Sequence, residues 1–285
     1  MVLKIIFFIV VFVALVGAAA VFFGKKHWQG ATERLHMKME AARVPVTSQF
    51  YDPRELDGLP GPVQRYFRAV LNEGQPLVTA LSMEHTGTFN MSETGEQWKP
   101  FTSTQRVVTR RPGFVWDARI HVAPAMTVFV HDAYVAGGGV LTARLAGLVT
   151  LMQMPATAEL ARGELMRFLA EGAWYPTALL PGQGVTWQAV DDVSATAALR
   201  DGETALALLF RFNEKGLIES VRAEARGRTV AGRIIPTPWE VRLSNYAVRG
   251  GMLIPLEGEV AWVLPEGLKP YWRGRITKLG HEFSQ

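Results

Sequence analysis

At 285 residues the chain is long enough to bury a real core, and its lack of cysteine excludes disulfides, thiol catalysis, a lipidated cysteine and thiolate metal sites. The formal charge of +4 comes from 30 basic and 26 acidic residues. The first 44 positions hold six of the basic residues and only Glu33 and Glu40, which leaves 24 of each sign beyond them. A body of balanced charge is a poor partner for nucleic acid, and that class is set aside.

Ile5 to Phe23 is apolar apart from Gly17 and is bracketed by Lys4 and Lys25-Lys26. As a helix it spans about 28 Å, close to the hydrocarbon thickness of a bilayer. Ala18-Ala19-Ala20 offers a small-residue cleavage site, but the apolar run continues past it through Val21-Phe22-Phe23, which favours a retained anchor. Lys26 to Arg43 is amphipathic, with Leu35, Met39 and Ala42 on the apolar side, and is expected to lie near the headgroups as a connector. Pro62 sits near the start of a further helix, where Val63, Phe67 and Val70-Leu71 share one face as a cap on a sheet.

After Pro76 the period becomes alternating. Strands are expected over 78–91, 98–110, 113–122 and 125–135, rich in Val, Thr, Phe and Trp and bounded by Gly, Pro or Asn. The apolar stretch 140–153 reads equally as strand or helix. Thr157 is placed to cap a helix in which Ala161, Leu165, Phe168 and Leu169 form one apolar stripe, with Gly172 at its end. Burying the three larger side chains contributes about 5–9 kcal/mol. Strands resume over 193–200, 203–212, 217–226, 238–249, 252–263 and 269–283, with Asp201-Gly202 and Gly250-Gly251 as two-residue turns. Short connections mean antiparallel neighbours, and an open sheet of about nine to eleven strands must curl.

The sequence contains no nucleophile elbow, phosphate loop or dinucleotide fingerprint. A tight turn at Ala123-Pro124 sets Trp116, not His121, opposite His131, so the two histidines are read as satisfied or surface residues and no metal is assigned. Glu164, Arg167 and Glu171, with Asp117 and Arg119, form the best polar group, an ion-pair network or the acid–base pair of an enzyme. Tryptophans and tyrosines are spread along the strands and the Ala173–Pro176 loop, where they fill a core or wall a cavity.

GFVWDARI (113–120), AWYPTALLPGQGVTW (173–187), PTPWE (236–240) and PYWRGRI (270–276) resemble segments of a bacterial family of uncharacterised, often membrane-anchored proteins, over roughly residues 55–283. More loosely, the layout is similar to the LolA-like half-barrels of lipoprotein carriers. That resemblance implies antiparallel strands wrapped around helices, with an apolar cavity for acyl chains.

The expected fold is α+β: a strongly curved antiparallel half-barrel with helices on its concave side, plus one N-terminal transmembrane helix. Residues 1–25 are the anchor, 26–58 a juxtamembrane helix and connector, and 59–285 a single β-sheet domain. The expected role is noncatalytic binding of a lipid or other apolar ligand, without cofactor, by Trp116, Arg119, Arg167, Phe168, Leu169, Trp174, Tyr175 and Trp187. The alternatives are a structural or assembly protein of the envelope, with the aromatic loops facing a protein partner, and an enzyme using Glu164 or Glu171 with Asp117. Localisation is expected at the bacterial inner membrane, single-pass. Charge after the anchor favours a cytoplasmic body, whereas an anchor followed by a β domain is the layout of an exported one; the extracytoplasmic side is adopted.

Overall fold

The computed structural model describes residues 1–46, 48–230 and 232–285. It opens on α1 (Val2–Ala41), a single 40-residue helix about 60 Å long at 1.5 Å per residue. Its first part is long and apolar enough to cross a membrane. Its second part is not a connector on the headgroups. Trp28 and Met39 are each 1% exposed, and the helix packs on β2 (Trp98–Val108), β3 (Gly113–Ala123) and β4 (Met126–Val135). The apolar face seen in the sequence is buried by the sheet, not by lipid.

α2 (Gly61–Val70) begins with Pro62 in its first turn and buries Val63, Tyr66, Phe67 and Val70. The sheet has thirteen strands. Besides those above they are β1 (Val78–Asn90), β5 (Gly138–Leu145), β6 (Val149–Gln153), β7 (Thr186–Asp191), β8 (Ser194–Asp201), β9 (Thr204–Phe212), β10 (Ile218–Val230), β11 (Arg233–Arg249), β12 (Met252–Leu264) and β13 (Gly267–Phe283). Two strands exceed the expected range. The stretch 140–153 is a hairpin, and the end of the aromatic loop extends into β7, paired with β8.

All pairs are antiparallel, in the order β6-β5-β4-β3-β2-β1-β13-β12-β11-β10-β9-β8-β7. α3 (Ala158–Ala170) touches both β5 and β9. Nine strand spacings separate those two, about 43 Å in a flat sheet, against a helix about 10–12 Å across. The sheet therefore wraps around α3 as a half-barrel. Asp201 of β8 closes the seam, accepting from Arg111 Nε at 2.7 Å and from Tyr134 OH at 2.8 Å on the far limb.

Thr157 caps α3, its hydroxyl accepting from Leu160 N at 3.2 Å. Beyond Ala170 the chain continues in a 3-10 turn, Glu171–Trp174, instead of stopping at Gly172. Leu179 packs where a side chain on Gly172 would stand. The bend of the sheet has its own signature. Gly87, Gly274 and Gly258 lie in register across β1, β13 and β12; the Trp272 ring occupies the space that a side chain on Gly274 would need and lies in contact distance of one on Gly258.

Candidate functional site

Alternation sorts each strand into a concave and a convex face. On β3, Trp116, Ala118 and Ile120 join the main core, while Val115 packs outside with Met39 of α1. Arg119 and Asp117 are on the convex face, where they pair with each other beneath α1. Arg119 therefore does not line the interior, and the acid–base pair of Glu164 or Glu171 with Asp117 does not form, because the sheet separates them. The β3–β4 turn occupies Pro124-Ala125 and is preceded on β3 by a register shift between His121 and Ala123. Trp116 therefore faces Asp132, and His131 faces Asp117. A one-residue slip exchanges faces. It brings Asp132 into the interior and sends His131 outside, to stack on Trp28 at 3.9 Å.

The interior is largely filled. α2 and the loop after α3 plug one end. Trp187 packs among Phe67, Phe210 and Phe212 and donates from Nε1 to Leu179 O at 3.0 Å. Phe168 and Tyr175 lie together at 5.4 Å, the Tyr175 hydroxyl donating to Phe168 O, and Leu169 is buried in the same core. Trp174 and Tyr175 are both buried, so this loop presents no aromatic surface to a protein partner.

A cavity of about 70 Å³ remains. Trp116, Trp174, Trp239, Tyr271 and Trp272 wall it, and Asp132, Arg167, Glu171 and Arg226 supply its polar side. Of the residues expected to bind a ligand, Trp116, Arg167 and Trp174 meet here. The others from that set pack in the core or on the outside. Tyr271 and Trp272 both face inward because a bulge opposite Val260–Ala261 interrupts their alternation. The PTPWE and PYWRGRI segments are the sequence signal for Trp239, Tyr271 and Trp272; nothing local marks Asp132 or Arg226.

The polar side is a closed ion network. Arg167 donates to Glu171 Oε1 at 2.6 Å and to Asp132 Oδ2 at 2.7 Å, and Gln105 Nε2 donates to Glu171 Oε2 at 2.6 Å. Arg226 reaches Glu164 at 3.3 Å and lies 4.6 Å from the centre of the Trp239 ring. That ion-pair geometry favours a charged Glu164. Full burial, and secondarily the charge of Asp132, outweigh it and hold Glu164 well above the usual carboxylate range. Asp132 Oδ1 is buried without a partner among the described residues.

Four buried side-chain nitrogens have no partner among the described residues: Trp116 Nε1, Trp174 Nε1, His85 Nε2 and, away from the cavity lining, Arg144 Nε. His85 lies 5.5 Å from Trp174, ring to ring, with Ser103 Oγ 3.2 Å from its Nδ1. When Ser103 donates to Nδ1, the ring proton resides on Nε2. The cavity walls are thus largely aromatic, and two of the lining indoles, Trp116 and Trp174, carry N–H groups without a partner among the described residues.

Residues 57–281 match a family described as a family of unknown function, DUF6920. The chain belongs to that family. DUF6920 covers most of the sheet and all of α2 and α3, while α1 precedes the match. No curated protein matches the chain. Among solved structures it is similar to a LolA superfamily protein from Nitrosomonas europaea, at 9% identity and a TM-score of 0.39, over 78% of this chain and 92% of that one. It is also similar to a beta-barrel-like protein of domain of unknown function DUF1849 from Brucella abortus, at 10% identity and a TM-score of 0.16, over 72% of this chain and 99% of the other.

Proposed function

We propose that this protein is a single-pass, membrane-tethered binder of an apolar molecule carrying an uncharged hydrogen-bond acceptor, such as an ester or amide carbonyl. In this reading residues 1–25 anchor it in a bacterial inner membrane, with the body on the extracytoplasmic side. The observation that carries the binding role is the pair of indole N–H groups, Trp116 and Trp174, buried without acceptors in an aromatic-walled cavity. An unpaired buried donor costs about 1–3 kcal/mol, and a guest oxygen would remove that cost. Arg167 and Arg226 are already engaged by Asp132, Glu171 and Glu164, which favours a neutral acceptor over an anion. They also occupy the carboxylates in ion pairs, which supports binding without catalysis.

The cavity volume of about 70 Å³ suits the end of such a molecule, not a whole lipid. The rest of the guest would extend from the mouth. The test is native mass spectrometry of the detergent-extracted full chain, with fluorescent acyl esters added in a second series. Co-purified or captured ester that is lost in Trp116→Phe and Trp174→Phe is the expected result, because phenylalanine keeps the wall and removes the donor. Apo mass alone, with no uptake of the esters, would sink the proposal.

A further inference from the structure

The contact between α1 and the β5–β6 turn fixes which end of the body faces the bilayer. Gly24, the first residue after the apolar run, lies with its backbone against Ala146 and Gly147; a side chain on either glycine would strike the other segment's backbone. α1 then continues over the convex face, past Asp117 and His131 at Trp28 and past Gly113 at Met39. Its end is tied down where Val44 N donates to Arg110 O at 2.8 Å. The helix is thus held along the body at several points, and the β5–β6 turn sits at the level where the apolar segment ends.

What adjoins that turn is unusual for a surface in water. β6, Val149-Thr150-Leu151-Met152-Gln153, is an edge strand, uncharged and exposed along its whole length. Val149 is 59% and Leu151 55% exposed, with Leu148 and Met152 also exposed. Long apolar edges of this kind are liabilities unless something covers them. The β10–β11 hairpin brings Ile234 and Ile235, both exposed, alongside the far end of β6, where Thr229 Oγ1 approaches Met154 Sδ at 3.9 Å. Arg226 of the cavity lies on β10 just before that hairpin. Lys25 and Lys26 on α1, with Arg228 and Arg233 on the hairpin, give the rim the basic border that suits anionic headgroups.

We infer that the β5–β6 hairpin and the Ile234-Ile235 tip form a lip inserted into the headgroup and acyl boundary of the membrane that α1 crosses. The inference rests on α1 being an anchor, as proposed above. The lip sets the cavity-bearing end of the half-barrel against the bilayer, so a guest can enter end-first without crossing water.

The absence of cysteine permits a direct test. Leu151→Cys, Ile235→Cys, Phe12→Cys and Val248→Cys are each made in the full chain, nitroxide-labelled and reconstituted in vesicles of phosphatidylcholine and phosphatidylglycerol. Electron paramagnetic resonance then measures collision with oxygen against collision with a water-soluble nickel chelate. Labels at positions 151 and 235 are expected to shift toward the oxygen-rich ratio of position 12 and away from the aqueous ratio of 248, in the far β11–β12 turn. A bilayer ratio at 12 with aqueous ratios at 151 and 235 overturns the lip and leaves the anchor standing. An aqueous ratio at position 12 overturns the anchor, and the lip with it.

Discussion

Trp28 Nε1 donates to Asp117 Oδ1 at 2.9 Å, joining α1 to a strand 89 positions further along the chain. Thr32 Oγ1 donates to the other oxygen of Asp117 at 3.0 Å, and Phe129 meets the Trp28 ring edge-on at 5.7 Å. One buried indole thus locks the second half of α1 to the sheet. Losing a fully buried tryptophan costs about 3–5 kcal/mol. Trp28→Ala is expected to release the end of α1 while the half-barrel stays folded. Limited trypsin digestion should then cut faster at Lys38 and Arg43, and Trp28→Phe, which keeps most of the ring, should lie between. Equal cleavage in all three proteins would show that the docking does not depend on this residue.

Arg167 bridges Glu171 and Asp132 in the interior. Removing one member of a buried network leaves charges uncompensated and costs about 3–5 kcal/mol. Arg167→Met should therefore lower stability to urea by about that amount, and Arg167→Met with Glu171→Gln should recover part of it. The double-mutant cycle measures that coupling directly. Arg273→Met, which breaks a pair with half-exposed Arg273 and Glu259 at 2.7 Å, should cost no more than about 1 kcal/mol.

Acid should weaken the fold through two histidines. Burial, with Arg167 assisting, pushes His85 down to about 3 from its ordinary 6.5. Burial likewise lowers His131 to about 4; Asp117 opposes it, while Arg119, His36 and Arg144 act with it. The unfolded chain takes up these protons near 6.5 and the folded one resists them. Their full contribution is present above the unfolded value and is lost as the pH falls toward 4 and 3, at up to about 1.4 kcal/mol per pH unit for each ring. Glu164 has the opposite sign: its raised pKa contributes stability at low pH that is lost as the pH rises through the folded value. The urea midpoint should be lower at about pH 5 than at about pH 7.5 in the native chain, and His85→Gln with His131→Gln should reduce that difference. Unchanged separation in that variant would place the acid sensitivity elsewhere.

Gly274 is expected to be intolerant for a steric reason. A Cβ there collides with the Trp272 ring, whereas a Cβ on Gly280 of the same strand meets nothing within 4 Å. Overpacking of this kind costs about 1–3 kcal/mol. Gly274→Ala should lower the melting temperature and alter the near-ultraviolet circular dichroism of the displaced indole. Gly280→Ala, on the same strand, should leave both unchanged.

Much of the architecture is carried by local pattern. The apolar run of α1, the Thr157 cap and stripe of α3, and the turn at Gly250-Gly251 depend on residues close together in the chain, so they are legible in the sequence itself. The β8–β9 turn lies one residue later than expected, at Gly202-Glu203, because Asp201 pairs with Thr204. The curl also follows, because a sheet of this many antiparallel strands cannot stay flat. Face and depth depend on register, which is not local. The shift after His121 turns Asp132 inward beside Trp116 and His131 outward onto Trp28, and the bulge in β13 aims Tyr271 and Trp272 inward together. Arg119 and Asp117 look like partners of Arg167 and Glu171 until the sheet is seen to stand between them. The second half of α1 has one apolar face in the sequence whether a membrane or a protein covers it. Only tertiary packing, by placing Asp117 and His131 beneath Trp28, decided which.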